Sequence, residues 1–286
     1  MNTSAVSSPE EEERAPVQTA GEEPIIGILS GMGPYAGLDL ARKIHRHTDA
    51  RIDQEHLSVA LASYPGWIPD RSAYLFDSAK RDPTPALTKI TRRLEAAGAT
   101  LVGIPCNTAH GPPIFDALRE NLREAGSSVR LVHMIEETAR HLREAYPRLE
   151  RVGVLSSLAV HQLTLYKDVL EAAGFSVARP DDQTQRDVVN EVIFDESYGL
   201  KAQSAPVTER ARADLLRAVS DLKDDGAGAV VLGCTEFPLA ISERRAHGLP
   251  VVDPTRVLAR ALIREAAPDR LASSARPEEE PAWTTG

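Results

Sequence analysis

The stretches "LVGIPCNTAH" (residues 101–110) and "AVVLGCTEFP" (residues 229–238) decide the fold of this chain. Each is a short apolar run that stops at a cysteine followed by Thr or by Asn-Thr, and these are the only two cysteines in 286 residues. A short apolar run bounded by turn residues is typical of a strand buried in a parallel sheet. We therefore expect Cys106 and Cys234 at the carboxyl ends of two similar strands.

Two further pairs of segments repeat in the same order along the chain. Residues 25–34 (IIGILSGMGP) resemble residues 151–160 (RVGVLSSLAV), and residues 130–140 resemble residues 249–260. Chance would be enough to explain a single pair of similar strand-helix segments. Together with the pair around the cysteines, however, three pairs occur in the same order along the chain, which makes chance a poor explanation. One half of the chain therefore roughly repeats the other.

Apolar runs alternate with longer amphipathic stretches through the body of the chain. The predicted strands are 25–30, 57–63, 100–104, 130–133, 151–156, 175–178, 228–232 and 250–252. The predicted helices are 35–48, 84–97, 112–125, 134–145, 158–173, 182–194, 206–225, 236–245 and 254–266. This alternation predicts an α/β fold of two pseudo-symmetric lobes, each a parallel sheet flanked by helices.

The predicted lobes span residues 24–138 and 139–253, with the helix at 254–268 packing back on the first lobe. The tails, residues 1–23 and 272–286, are rich in Glu, Pro and Ser and are expected to be disordered. Ligands of open parallel sheets bind outside the carboxyl ends of the strands. Pseudo-twofold packing of the lobes would bring the two cysteines together across one cleft, where we expect the active site.

Composition excludes several classes of protein. The chain is 42% apolar and 26% charged, as is typical of a globular protein with a real core. Its net charge of −9 lies mostly in the two tails, and no basic patch with interleaved aromatics suggests nucleic acid. The N-terminus lacks the basic and apolar regions of a secretory signal, and no apolar run is long enough for a membrane span. We expect a cytoplasmic protein that binds neither membrane nor nucleic acid.

Two opposed thiols could form a redox pair, a metal site or a pair of acid-base groups. Redox pairs usually lie close in sequence, whereas these cysteines are 128 residues apart. A metal site needs more soft or imidazole ligands, and only His110 lies near either cysteine. Proton transfer needs only the two thiols, one to remove a proton from one face of a carbon and one to deliver a proton to the other. We therefore expect no metal.

Cysteine is a plausible base because its ordinary pKa, about 8.5, is already close to working pH. A helix N-terminus lowers the pKa of a thiol further, and both cysteines are predicted to lead into helices. The residues predicted at the cap positions of those helices are Asn107, Thr108, Thr235 and Glu236.

At these residues the sequence resembles the aspartate/glutamate racemase family, in particular its cofactor-independent aspartate racemase branch. The resemblance covers roughly residues 24–268. The motifs that carry it are "SGMGP" at 30–34, "IPDR" at 68–71, "PCNTAH" at 105–110, "MIEETA" at 134–139, "GCTE" at 233–236 and "VVDP" at 251–254.

The resemblance implies an amino-acid racemase that uses neither pyridoxal phosphate nor metal, with Cys106 and Cys234 as the acid-base pair. It also implies a homodimer. By the same resemblance, Arg71 and Lys201 bind the side-chain carboxylate of the substrate, and a planar Arg fork matches a carboxylate bidentately.

The loops after the cysteines offer donors to the α-carboxylate of such a substrate, because hydroxyl, amide and helix N-terminal N–H groups favour an anion. The expected donors are Asn107, Thr108 and Thr235. Backbone amides at Met32 and Gly33 are expected to face the ligand as well. His110 and Glu236 each lie a short step beyond a cysteine and are expected to tune the thiol or move protons.

Three alternatives remain open. The enzyme could racemise glutamate or a broader range of polar or neutral amino acids. It could be a non-racemase relative such as a maleate isomerase or an arylmalonate decarboxylase, although two intact cysteine loops count against the decarboxylase. From another class, it could be a ligand-binding protein that has lost activity.

Overall fold

The computed structural model describes residues 24–273, so the expectation of disorder for 1–23 and 274–286 lies outside the described residues. Ala272, assigned to the C-terminal tail on sequence, is buried, and its amide donates to the carbonyl of His47. The strands are β1 Ile25–Ser30, β2 Val59–Ser63, β3 Ala99–Gly103, β4 Arg130–Val132, β5 Arg151–Ser156, β6 Ser176–Ala178, β7 Ala229–Gly233, β8 Arg245–Ala246 and β9 Leu249–Val252.

Helices alternate with these strands along the chain. They are α1 Pro34–His47, α2 Arg71–Phe76, α3 Thr84–Ala96, α4 Pro112–Glu124, α5 Met134–Ala145, α6 Leu158–Gln162, α7 Leu165–Ala172, α8 Asp182–Thr184, α9 Glu191–Phe194, α10 Glu209–Asp224, α11 Phe237–Ala240 and α12 Pro254–Ala266. A π-helical segment, Gln185–Asn190, joins α8 to α9. No helix within the described range is both long and apolar enough to cross a bilayer.

The strands form two sheets with the same internal order. The first sheet runs β2-β1-β3-β4 and the second β6-β5-β7-β9-β8, and every pairing is parallel except β8 with β9. The repeated sequence segments therefore occupy equivalent places: β1 corresponds to β5, and β3 to β7. The predicted α/β fold with two parallel sheets flanked by helices is confirmed.

The central strands β1, β3, β5 and β7 are mostly buried, because helices cover both sides of each sheet. In α12, Leu258 and Leu262 pack in one cluster with Ile26 and Ile28 of β1 and with Leu40 of α1. The helix that follows the last strand of the second sheet thus packs against the first sheet.

Gly103, at the end of β3, allows this contact to be close. A methyl group at Gly103 would lie 2.6 Å from the Leu262 Cδ1 atom. The absence of a side chain there lets α12 approach the strand that carries the first cysteine loop.

Several predicted helices are shorter or broken in the structure. The helix predicted at 158–173 is interrupted at Thr164, whose positive φ of 54° ends α6 before α7 begins. The helix predicted at 206–225 begins only at Glu209, where the Thr208 hydroxyl caps α10 by accepting from the Ala211 amide.

The helix predicted at 236–245 is wrong beyond its first turn, since α11 ends at Ala240 and residues 245–246 form β8. His247 and Gly248 both have positive φ values, 48° and 84°, between β8 and β9. Two consecutive residues with positive φ are typical of a tight hairpin turn, which reverses the chain here.

Candidate active site

The two cysteines follow equivalent strands of the two sheets. Cys234 comes directly after β7, and Cys106 is separated from the end of β3 by two residues, Ile104 and Pro105. Only 5% of Cys106 and 7% of Cys234 are exposed, and both are free thiols. Because the carboxyl ends of parallel strands form one edge of a sheet, each thiol lies at the edge where ligands of such sheets bind.

Both cysteines line one cavity of about 120 Å³. Pockets for drug-sized ligands measure roughly 300–1,000 Å³, so this cavity suits a compact molecule. The residues that line it are Met32, Asp70, Arg71, Ser72, Cys106, Asn107, Thr108, Ser157, Ile193, Phe194, Lys201, Gly233, Cys234, Thr235 and Glu236. Nine of the eleven residues predicted for the site line this cavity, and Gly33 and His110 do not. The nine are Met32, Arg71, Cys106, Asn107, Thr108, Lys201, Cys234, Thr235 and Glu236.

Cys234, Glu236 and Lys201 form a hydrogen-bonded chain. The Cys234 thiol donates to Glu236 Oε2 at 3.0 Å, and Lys201 Nζ contacts Glu236 Oε1 at 2.9 Å. The Thr235 hydroxyl also donates to Glu236 Oε2, at 3.3 Å. Glu236 is 5% exposed, so its carboxylate is satisfied by these three donors and by almost no water.

Burial and these hydrogen bonds shift the pKa values of Cys234, Glu236 and Lys201. Burial, followed by the negative charge of Glu236, raises the pKa of the Cys234 thiol well above its ordinary value. Burial alone would also raise the pKa of Glu236, but the Lys201 ammonium and the hydrogen bond from Cys234 outweigh it and lower that pKa. Likewise, the Glu236 carboxylate outweighs the effect of burial on Lys201 and raises the pKa of its ammonium. At neutral pH Cys234 is therefore a thiol that donates to a carboxylate.

The expected lowering of the thiol pKa by a helix N-terminus is wrong for Cys234. The helix that follows, α11, is a single turn of four residues, and the nearby Glu236 carboxylate opposes the thiolate. Glu236 does occupy the N-cap position of α11, but its side chain makes no capping bond because it is engaged by Cys234 and Lys201. Thr235 likewise donates to Glu236 instead of capping a helix.

Asn107 and Thr108 are also not helix caps. They belong to a 3-10 turn, Asn107–His110, and α4 begins only at Pro112 with Gly111 as its N-cap. Proline favours the first position of a helix because it lacks an N–H and its φ is already helical. Pro112 therefore moves the start of the helix beyond the cysteine loop, which leaves Asn107 and Thr108 on the cavity wall.

Arg71 faces the cavity from the first position of α2. Asp70 caps this helix by accepting from the Ala73 amide at 2.7 Å. The Arg71 guanidinium donates from Nη1 to the Pro69 carbonyl at 3.2 Å, while its Nε is buried without a partner. Arg71 makes no ion pair within residues 24–273, so most of its donor fork is available to a ligand.

Met32 and Gly33 take different places around the cavity. Met32 is 3% exposed and lines the wall. Gly33 lies behind Glu236, where a methyl group would be 3.0 Å from Glu236 Oε1. Gly33 thus leaves room for the buried carboxylate.

His110 supports the Cys106 loop from outside the cavity. Its ring Nδ1 lies 2.9 Å from the Cys106 carbonyl, and the ring stacks on Phe115 with centroids 5.0 Å apart. Burial, and then the neighbouring His133, lower the pKa of His110 to about 3. His110 is therefore neutral at physiological pH and holds the loop; this geometry does not support the expected role in moving protons.

Sequence reasoning missed Ser157 and Tyr166. The Ser157 hydroxyl is buried, lines the cavity and has no hydrogen-bond partner in the described structure. In the internal repeat Ser157 aligns with Gly31, which precedes the two residues, Met32 and Gly33, that were expected to face the ligand. This alignment could have identified Ser157 from the sequence. Tyr166 lies on the buried face of α7, where an aromatic side chain is indistinguishable from ordinary core in the sequence. No group of three or more His, Cys, Asp or Glu side chains able to hold a metal ion occurs in residues 24–273.

Comparison with known proteins places this arrangement in a family. Residues 29–262 match the sequence profile described as Asp/Glu/Hydantoin racemase. The chain is 25% identical over 246 residues to the broad specificity amino-acid racemase RacX of Bacillus subtilis (strain 168), covering 84% of this chain and 96% of the relative.

Solved structures agree with this match. An aspartate racemase from Picrophilus torridus is 28% identical with a TM-score of 0.70, covering 85% of this chain and 94% of that one. An aspartate racemase homologue from Pyrococcus horikoshii OT3, at 23% identity, has a TM-score of 0.63 over 85% of this chain and 98% of its own, and shows the shared fold. The chain belongs to the Asp/Glu/hydantoin racemase family.

Proposed function

We propose that this protein interconverts the L and D forms of an acidic amino acid, with aspartate as the first candidate, and that Cys106 and Cys234 transfer the protons. The observation that carries the proposal is that the two thiols, from equivalent strands of the two sheets, line the same small cavity. The reaction needs neither pyridoxal phosphate nor a metal, because the base and the acid are both side chains of the protein.

The chemistry requires one thiolate and one thiol at the start of each turnover. The thiolate takes the α-proton, leaving an electron pair delocalised into the α-carboxylate, and the opposite thiol gives its proton to the other face of the carbon. The roles are then exchanged for the reverse reaction. Because its pKa is raised, Cys234 favours the thiol form and suits the proton-donating role in the resting enzyme.

The charges of the cavity favour a substrate with two carboxylates. Lys201 is neutralised by Glu236, whereas Arg71 makes no ion pair in the described chain and still presents most of its fork. A side-chain carboxylate would pair with Arg71 through charge-assisted hydrogen bonds. The α-carboxylate would receive donors from Asn107, whose Nδ2 is buried without a partner, and from Ser157.

A second candidate is a racemase of broader amino-acid range. The relative from Bacillus subtilis is named a broad specificity amino-acid racemase. In this chain Lys201 is held by Glu236 at 2.9 Å, so Arg71 alone selects for side-chain charge. If Arg71 contributes little, substrates without a side-chain carboxylate would be accepted.

The test is racemisation of L-aspartate by the purified, reduced, metal-free protein without added pyridoxal phosphate, followed by chiral chromatography. L-glutamate and L-alanine are run in parallel, as are Cys106→Ser and Cys234→Ser variants. We expect D-aspartate to form and both variants to lose the activity. Preference for alanine would support the broader range instead. Absence of reaction with every amino acid would contradict the proposal, and maleate would be tested next.

The cytoplasmic location and the homodimer stay predictions. The resemblance to the family is what supports the homodimer. Light scattering coupled to size-exclusion chromatography of the full chain measures its mass in solution, and a mass of one chain would contradict it.

A further inference from the structure

Tyr166 connects the two cysteine loops from the interior of the second half of the chain. It lies in α7, is 1% exposed, and donates from its hydroxyl to Asn107 Oδ1 at 2.7 Å. Asn107 follows Cys106 directly in sequence. The hydrogen bond therefore links a helix of the second half to the loop that carries the thiol of the first half.

The ring of Tyr166 contacts the other cysteine loop as well. A methyl group at Gly233, the residue before Cys234, would lie only 2.9 Å from the Tyr166 Cε2 atom. The ring thus lies directly against the backbone that ends β7. One buried side chain touches the neighbours of both thiols.

The bond from Tyr166 decides which end of the Asn107 amide faces the cavity. Its oxygen is occupied by the tyrosine hydroxyl, while Nδ2 is buried and has no partner in residues 24–273. Buried amide groups without a partner are rare because they lose hydrogen bonds to water without replacement. Since Asn107 lines the cavity, the missing acceptor is expected from a ligand.

We propose that Tyr166 is a positioning residue that fixes the Asn107 carboxamide with its NH₂ toward the α-carboxylate of the bound amino acid. This inference rests on the proposed racemase function. The α-carboxylate gains negative charge as the α-proton leaves, so a donor held at this place stabilises the transition state more than the ground state. Burial raises the pKa of the Tyr166 hydroxyl, which keeps it protonated and donating at every working pH.

Tyr166→Phe removes the hydroxyl and keeps the ring against Gly233. We expect kcat/KM for the preferred substrate to fall roughly ten-fold, with kcat reduced as well as KM raised, because one hydrogen bond that positions a charged contact is lost. Asn107→Ala and the double variant complete a double-mutant cycle. Tyr198→Phe, another buried tyrosine outside the cavity wall, is the matched control and should leave kcat/KM unchanged.

If Tyr166 acts through Asn107, the losses in kcat/KM caused by Tyr166→Phe and Asn107→Ala are not additive. The inference expects the double variant to be no worse than Asn107→Ala alone, whereas a merely structural role for Tyr166 would make the two losses add. Full activity of Tyr166→Phe, or additive losses, would overturn the inference and leave the racemase proposal standing.

Binding of succinate, measured by calorimetry, gives a second readout that needs no turnover. The inference expects Tyr166→Phe and Asn107→Ala to weaken succinate binding together and without additivity. An inactive wild-type chain that binds succinate with this pattern would overturn the racemase proposal alone. A chain that neither racemises an amino acid nor binds succinate would overturn both.

Discussion

Replacing Lys201 by Met should destabilise the protein by leaving a buried carboxylate without its cation. Lys201 Nζ lies 2.9 Å from Glu236 Oε1, and the Glu236 side chain is 7% exposed. Met keeps most of the volume of the aliphatic stem and removes the ammonium, with both its charge and its hydrogen bond to Glu236. The variant therefore isolates the contribution of the ammonium to the buried chain of Cys234, Glu236 and Lys201.

Removing one partner of a buried ion pair costs about 3–5 kcal/mol. Lys201 remains 31% exposed, so water screens the pair, and two donors, Cys234 and Thr235, stay with the carboxylate. We therefore expect a loss at or just below the lower end of that range, about 2–3 kcal/mol in the free energy of unfolding. For a chain of this size that loss lowers Tm by about 5–10 °C.

The loss should grow with pH. The wild-type pKa of Glu236 is lowered, so its ionised form stabilises the fold above its ordinary pKa of 4.5 and this contribution disappears as pH falls through the folded value. Without Lys201 only burial and the weaker donors remain, and the ionised carboxylate becomes unfavourable. Urea unfolding at about pH 5 and about pH 8 should show the larger difference between wild type and variant at about pH 8.

The control is the double variant Lys201→Met with Glu236→Gln, which removes both charges. Because no unpaired charge is then buried, it should recover most of the lost stability and show little pH dependence. An equal loss at both pH values, or a double variant as unstable as Lys201→Met alone, would refute the reasoning.

Three further changes test the site and the fold. Arg71→Ala should lower kcat/KM for aspartate about 100-fold, because two charge-assisted hydrogen bonds of about 1.5 kcal/mol each are lost. Steady-state rates with alanine should hardly change, and equal losses for both substrates would argue against selection of the substrate's side chain by Arg71. Glu236→Gln should lower the pKa of Cys234, because it removes the carboxylate 3.0 Å from the thiol. Iodoacetamide should then alkylate Cys234 at lower pH than in wild type, and an unchanged pH dependence of the alkylation rate would contradict this. Gly37→Ala should destabilise the fold by about 1–3 kcal/mol despite the better helix propensity of Ala, because the new methyl group would lie 1.9 Å from the Ser30 Oγ atom; a rise in the urea midpoint would show that Ser30 moves aside at no cost.

The strands were predictable because a parallel sheet covered on both faces requires uninterrupted apolar runs. Ile25–Ser30 and Arg151–Ser156 have the predicted bounds, and the internal repeat indicated that the two halves of the chain are built alike. The α2 helix and the β8 strand, with six and two residues, were missed because segments so short show no periodicity.

The site was predictable where the chemistry follows the strands. Cys106 and Cys234 follow equivalent strands, so topology places each at the carboxyl edge of its own sheet. Packing of the two halves then brings both thiols to one cavity. The pairing of Lys201 with Glu236 depends instead on side-chain directions between segments 35 residues apart. The contact of Tyr166 with Asn107 could not be found in sequence either, because a buried helix face conceals a hydroxyl directed at the other half of the chain.

The two-thiol mechanism is tested most directly by where deuterium appears early in the reaction. L-aspartate is incubated with the protein in deuterated water, and mass spectrometry of the separated enantiomers follows the first few per cent of conversion. Two thiols predict that D-aspartate carries deuterium at its α-carbon from the outset, while the remaining L-aspartate keeps its proton. A single base serving both faces would return deuterium to L-aspartate or carry the original proton into D-aspartate, and either result would contradict the account.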